Sequence, residues 1–111
     1  MSWCTDYTGS FDQLVSMSSQ LQQAVATNNR PAVVRLVRFP LDVNGGRSES
    51  INSAGALLKR YDQVFTPSVT KAILKKDPRG VFCTAEGATS TDGVVWVSTR
   101  DGRTAIDVVN R

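Results

Sequence analysis

The segment Phe39–Pro67, FPLDVNGGRSESINSAGALLKRYDQVFTP, constrains the fold of this chain more than any other part. It contains the dipeptide Asn44-Gly45, which is typical of a tight hairpin turn because both residues accept positive backbone φ angles. Two helix starts follow within the same segment. We therefore expect a strand before the turn, a returning strand after it, and helices beyond.

The two strands of this hairpin differ in polarity. Strand alternation places Leu41 and Val43 on the buried face and Asp42 on the solvent side. The returning strand, from Arg47 to Ile51, is polar. A polar strand of this kind predicts a position at the edge of a sheet or under a loop.

Four helix starts are marked by capping residues, and two of these are followed by proline where its missing amide would be unpaired anyway. The predicted caps are Ser10, Asn29 or Arg30, Asn52 or Ser53, and Thr66. Apolar residues then recur at helical spacing. In the third helix the predicted apolar stripe contains Ala54, Leu57, Leu58, Tyr61, Val64 and Phe65.

The last third of the chain changes to β-rich sequence. Three strands are predicted, at Val81–Thr84, Val94–Thr99 and Arg103–Val109, paired antiparallel in consecutive order. Helices first and strands last indicate an α+β fold, with N-terminal helices packed on a curved antiparallel sheet. The length of 111 residues predicts a single domain over residues 1–111, with residues 1–9 as an N-terminal extension.

Composition narrows the classes of function. The 13 basic and 10 acidic residues are interleaved, without the concentrated charge, stacking aromatics or reading motif of a nucleic-acid binder. No apolar run approaches the length of a membrane span. The chain has no histidine, the side chain most easily tuned near neutral pH, and two cysteines alone do not make a zinc site. We expect no metal, no cofactor, no nucleic acid and no membrane span.

The order of elements, together with the runs FPLDVNG, LLKRYDQVFTP and GVVWV, resembles the nuclear transport factor two-like (cystatin-like) superfamily. The resemblance covers most of residues 10–110 and is strongest to short exported bacterial members of uncharacterised function. It implies a cone-like fold whose curved sheet wraps a helix around a cavity. Some members of the superfamily use this cavity for catalysis, and others bind a small molecule or a protein.

The exported relatives also bear on the two cysteines and on the compartment. They favour a disulfide between Cys4 and Cys83, which would stabilise the fold by about 4 kcal/mol on a loop-entropy basis. Two reduced thiols are the alternative. The N-terminus MSWCTDYTGS lacks the basic start and apolar core of a signal peptide. We expect a periplasmic or secreted protein if a leader has been removed, and otherwise a cytoplasmic one.

Five residues are candidate ligand contacts at the cone mouth or on the sheet: Tyr61, Asp62, Arg38, Trp96 and Asp107. At the end of the third helix, Tyr61 can point into the cone while Asp62 faces its rim. The alternatives are a packing ring and a surface carboxylate. Asp107 is solvent-facing if the Ile106 face of its strand packs on helices, and a pocket acid otherwise.

The other two candidates also have two interpretations each. Trp96 either stacks on a ligand or is a core or dimer-facing residue. Arg38, together with Arg35, either presents a fork to an anion at the cone mouth or is a surface residue, solvated or paired with a carboxylate.

Both faces of the predicted strand 94–99 are apolar, although helices need to cover only one face of a sheet. The second face therefore predicts a homodimer through the C-terminal sheet, with Trp96, or Val95 and Val97, near its centre.

The function that these features favour is a non-catalytic binding module. It would use the cone mouth or the sheet face for a small ligand or a partner protein, and an inhibitor or immunity-like role falls within this class. The alternative is a small cone-pocket acid-base enzyme, isomerase-, cyclase- or hydrolase-like, acting on an apolar organic molecule. Asp62 or Asp107 would then be the base and Tyr61 the polarising donor.

Overall fold

The structure is a computed structural model that describes residues 11–75, 77, 82–84, 87–89, 91, 93–100 and 103–111, with the backbone alone at Phe11 and at residues 82–84. Within these residues the helices are α1 (Phe11–Ala26), α2 (Arg30–Arg35), α3 (Ala54–Lys59), α4 (Tyr61–Val64) and α5 (Pro67–Lys75). The strands are β1 (Val37–Asn44), β2 (Glu49–Ile51), β3 (Phe82–Thr84), β4 (Gly87–Thr89), β5 (Val95–Arg100) and β6 (Arg103–Asn110). Helices packed against one sheet confirm the predicted α+β class.

The strands form one sheet in the order β2-β1-β6-β5-β4-β3. The sheet is mixed, because β1 and β6 run parallel while the other neighbours run antiparallel. The prediction of an antiparallel sheet is therefore wrong at this one pair. Strands joined by short turns have to reverse direction, whereas β1 and β6 lie far apart in sequence and no turn sets their relative direction.

The strand β4 was not predicted, and it separates β3 from β5. Its sequence is Gly87-Ala88-Thr89, and glycine and alanine are depleted in strands. β3 therefore pairs with β4 rather than with the strand that begins at Val95. The prediction of three consecutive paired strands is corrected to four.

The hairpin faces are as predicted. Leu41 and Val43 are fully buried and Asp42 is exposed. β2 is the edge strand of the sheet, and Ile51 anchors it to the core with 3% of its surface exposed. Alternation along β1 and the polarity of β2 were thus reliable guides to orientation.

The hairpin turn is wider than Asn44-Gly45 alone predicts. Val43 pairs with Glu49, so that five residues, 44–48, connect the paired positions. The positive φ angles lie at Gly45 (105°) and Gly46 (78°). Asn44 instead continues β1 and pairs with the last strand.

Three of the predicted helix caps are present. The side chains of Asn29, Ser53 and Thr66 each accept a hydrogen bond from the backbone amide three residues later, at 3.3, 3.2 and 3.4 Å. Each bond satisfies a donor that the first turn of a helix leaves unpaired. The fourth predicted cap, Ser10, lies outside the described residues.

A single core lies between the helices and one face of the sheet, and every helix contributes to it. Its largest fully buried side chains are Leu14, Leu41, Leu57, Ile73, Ile106, Val33, Val43, Val64, Val69 and Val109.

The predicted third helix is divided at Arg60 into α3 and α4. Leu57 is fully buried, whereas Leu58 is 41% exposed and does not belong to the buried stripe. Adjacent residues on a helix point about 100° apart, so a narrow contact buries only one of the two.

Of the helices that the structure describes, none has both the length and the apolar character required to cross a bilayer.

Candidate functional site

The sheet has a second face, opposite the core, which we call the outer face. Cross-strand pairing places Asp42, Val108 and Trp96 in one row on three neighbouring strands, β1, β6 and β5. Asp42 is exposed, and Val108 and Trp96 are half-buried. The outer face is therefore a part of the sheet on which side chains meet solvent.

β6 has a β-bulge at Asp107, which lies on the outer face. Trp96 pairs with Val108 and Val97 with Ile106, which leaves Asp107 without an opposite residue on β5. An extra residue of this kind bends a strand and changes the direction of its side chains. Ile106 packs in the core, and half-buried Asp107 lies on the opposite face, as strand alternation expects. Alternation alone would place Val108 on the Ile106 face, but the bulge puts it on the outer face.

Arg38 and Asp107, two of the candidate residues, are brought together through Ser98. The Ser98 hydroxyl donates to Asp107 Oδ2 at 2.7 Å and accepts a hydrogen bond from Arg38 Nη1. Arg38 also donates to the carbonyl oxygens of Ser98 (3.3 Å) and Arg103 (2.7 Å). These bonds join β1, β5 and β6 across the outer face, so the cluster first of all ties the strands together.

Trp96 lies against two glycines. A Cβ at Gly93 would be 3.6 Å from Trp96 Nε1, and one at Gly87 would be 3.9 Å from Trp96 Cε3. The indole therefore covers backbone where no side chain competes for space. Trp96 is half-buried and lies outside the core cluster, which excludes the core alternative for it. Val95 and Val97 do lie in the core, so they cannot form the centre of a dimer contact.

Tyr61 and Asp62 form a separate cluster with Arg30 on the helical side of the protein. Tyr61 is buried and stacks on Phe65, with ring centroids 5.0 Å apart. The Arg30 guanidinium lies 4.7 Å from the Tyr61 ring centroid and pairs with Asp62 at 2.9 Å. Burial raises the pKa of Tyr61, helped by the charge of Asp62 and opposed by that of Arg30. Tyr61 is thus a packing ring, and Asp62, with 79% of its side chain exposed, is a surface carboxylate.

The most strongly bonded ionic group was not found from sequence. Glu49 on β2 binds both Arg60 and Arg111, with Oε2 2.9 Å from a nitrogen of each. Arg111 also donates to the carbonyl oxygens of Gln63 (2.9 Å) and Arg47 (3.2 Å). These residues are separated in sequence and form no motif, so no local sequence pattern predicts the cluster. It holds the edge hairpin to α4 and to the residue that follows β6.

The Glu49 cluster predicts an acid-dependent loss of stability. Hydrogen bonds from Arg60 first, and Arg111 second, lower the pKa of Glu49 from an ordinary value of 4.5 to about 2. A carboxyl whose pKa is lower in the folded state stabilises the fold above its unfolded pKa and loses this contribution as the pH falls. The window here is pH 4.5 to about 2. Urea unfolding of Glu49→Gln should therefore show lower stability at pH 7 and a shallower decline across this window than the wild type. Equal slopes in the two proteins would contradict the assignment.

Among the described residues, side chains of α1 and of the sheet enclose a small cavity. The cavity there has a volume of about 10 Å³ and is lined by Leu14, Met17, Ser18, Leu21, Ala88, Thr89, Thr91, Val95 and Val97. Pockets for small organic molecules are typically about 300–1,000 Å³. Tyr61, Asp62 and Asp107 are absent from the described lining, so the groups needed for the cone-pocket enzyme do not meet there.

The remaining predictions concern cysteines and metals. Cys4 lies outside the described residues, as does the side chain of Cys83, so the predicted disulfide stays a prediction. Within the part of the chain that the structure describes, no three acidic or cysteine side chains group as metal ligands.

The five candidate residues thus fall into two clusters and a tryptophan. Arg38 and Asp107 share Ser98, Tyr61 and Asp62 share Arg30, and Trp96 lies on the outer face.

Comparison of the chain with protein-family models, with curated proteins and with solved structures gives no match.

Proposed function

We propose that the chain is a non-catalytic binding module that takes a partner protein on the outer face of its sheet, and that this partner is a second copy of the chain. The observation that carries the proposal is the small size of the described cavity between α1 and the sheet. A cavity of about 10 Å³ is no larger than one water molecule requires, which favours recognition at the surface.

The outer face has the composition of a contact surface. Trp96 and Val108 are apolar neighbours on adjacent strands, and tryptophan is enriched among residues that dominate binding energy. The Arg38 guanidinium and the Asp107 carboxylate are already bonded through Ser98, so part of their hydrogen-bonding capacity is met within the chain.

The charges on this face favour self-association. Asp42 on β1 and Arg100 on β5 are both exposed, and strand alternation places both on the outer face. In a two-fold contact each copy presents the same patch, so a patch with both signs of charge can complement itself. A patch of one sign would repel its copy. The resemblance to the nuclear transport factor two-like superfamily is in keeping with an interaction through the sheet.

The proposal is tested by mass in solution. Sedimentation of the wild type at micromolar concentration should show twice the chain mass of 12.1 kDa. Trp96→Glu should sediment as a monomer, because burying an unpaired charge at the contact is strongly unfavourable. The matched control is Leu74→Glu on α5, where another large apolar side chain is 47% exposed, and this variant should remain a dimer. Circular dichroism establishes that both variants are folded. A monomeric wild type at high concentration would remove the proposal.

A further inference from the structure

A groove follows the solvent side of α1. Two open clefts, of about 390 and 340 Å³, adjoin at Gln20 and Leu36, which line both. The lining residues, which define the α1 groove, are Asp12, Gln13, Ser16, Met17, Gln20, Gln23, Ala24, Thr27, Asn29, Ala32, Arg35, Leu36 and Thr104. From Asp12 to Thr27 the groove is about 22 Å long at 1.5 Å per helical residue. That length fits about seven residues of extended chain.

Two arginines lie at the end of α2, beside the groove. Arg35 lines the groove and is exposed. Arg103 is exposed and donates from Nη2 to the Arg35 carbonyl oxygen at 3.3 Å. Among the described residues no carboxylate forms an ion pair with these two arginines. Asp101, two residues before Arg103, lies outside the described residues. The region therefore presents guanidinium groups to an external anion.

The lining of the α1 groove indicates which kind of anion binds there. The glutamine side chains carry both donors and acceptors, as a peptide backbone does, and Leu36 offers an apolar surface between them. Among the described lining residues there is no aromatic ring on which a base would stack. Arg35 is the one basic residue among the described lining residues, and Asp12 also lines the groove, which is unlike the continuous positive track of a nucleic-acid site. An acidic protein segment fits this lining better than a nucleic acid does.

We propose that the α1 groove binds an extended protein segment whose carboxylates lie against Arg35 and Arg103 and whose apolar side chain packs on Leu36. Guanidinium groups match carboxylates in planar, two-bond geometry, which makes an acidic segment the preferred partner. This site is separate from the outer face and goes beyond the proposed self-association.

The test uses a fluorescein-labelled peptide of seven residues, with one leucine, three serines and three glutamates, in fluorescence anisotropy at low salt. The double variant Arg35→Glu with Arg103→Glu should bind it at least about tenfold more weakly than the wild type, because attractive charge pairs become repulsive. The matched control is Lys71→Glu with Lys75→Glu, the same change in net charge on the exposed side of α5. This control should remain within about twofold of the wild type if the arginines act locally.

Three outcomes would overturn the groove assignment. The first is equal binding of a peptide with glutamines in place of glutamates. The second is an equal loss in both double variants, which would indicate net charge alone. The third is tighter binding of a single-stranded oligonucleotide or of anionic vesicles than of the peptide.

To distinguish the groove from the dimer contact, peptide binding is also measured with the Trp96→Glu variant. Peptide binding by a monomeric wild type would remove the dimer and keep the groove. A wild-type dimer that does not bind the peptide would keep the dimer and remove the groove.

Discussion

Replacing Gly45 with alanine is expected to lower the free energy of unfolding by about 3 kcal/mol, since a strained backbone angle and a steric clash add together. Gly45 has a φ of 105°, which side chains rarely allow. A Cβ there would also stand well inside van der Waals distance of the Arg111 carbonyl oxygen. Arg111 would have to move, and its guanidinium group, which donates a hydrogen bond to Glu49, would move with it. Urea unfolding at pH 7 measures the loss.

Gly46 provides the matched control for this substitution. It also has a positive φ, 78°, but a Cβ there would have no neighbour within 4 Å. Gly46→Ala should therefore lose only the backbone contribution, about 1 kcal/mol. Equal losses at the two glycines would show that the approach of Arg111 to the turn does not matter. A smaller loss at Gly45 than at Gly46 would place Arg111 elsewhere.

Leu57→Ala is expected to lower the free energy of unfolding by about 2–5 kcal/mol. Leu57 is fully buried on α3, and removing its side chain leaves a cavity in the core. Such a loss is a large part of the 5–15 kcal/mol that a domain of this size typically has. The measurement is equilibrium unfolding in urea, with the slope of the transition checked for two-state behaviour.

The neighbouring Leu58 is the control, because the same change in chemistry occurs one residue away. Leu58 is 41% exposed, and Leu58→Ala should cost less than about 1 kcal/mol. The pair tests the orientation of α3 directly. If Leu58→Ala proved the more damaging substitution, α3 would be rotated by about one residue from the position described here.

Local signals in the sequence determined most of the elements and several orientations. The caps at Asn29, Ser53 and Thr66 act through the backbone of their own helix, so a few neighbouring residues suffice to reveal them. Alternation along β1 likewise placed Leu41 and Val43 in the core, because the period of a strand is a local property. The α+β class followed from the order of these elements.

The site could be predicted only in part. Arg38, Asp107 and Trp96 were recognised as candidates, but their relation depends on the bulge at Asp107 and on a serine that carries no sequence signal. Tyr61 and Asp62 were paired by adjacency, whereas the structure shows that Arg30 contacts both of them and that neither is among the residues that line the core cavity.

Only the tertiary structure decided what lies between distant parts of the chain. The parallel pairing of β1 with β6 and the binding of Glu49 by Arg60 and Arg111 join segments with no shared local pattern. Filling of the core by α1 is of the same kind, since the volume left between a helix and a sheet depends on every side chain that meets there. Sequence periodicity reports which face of an element is apolar, but the partner of that face is selected by packing of the whole chain.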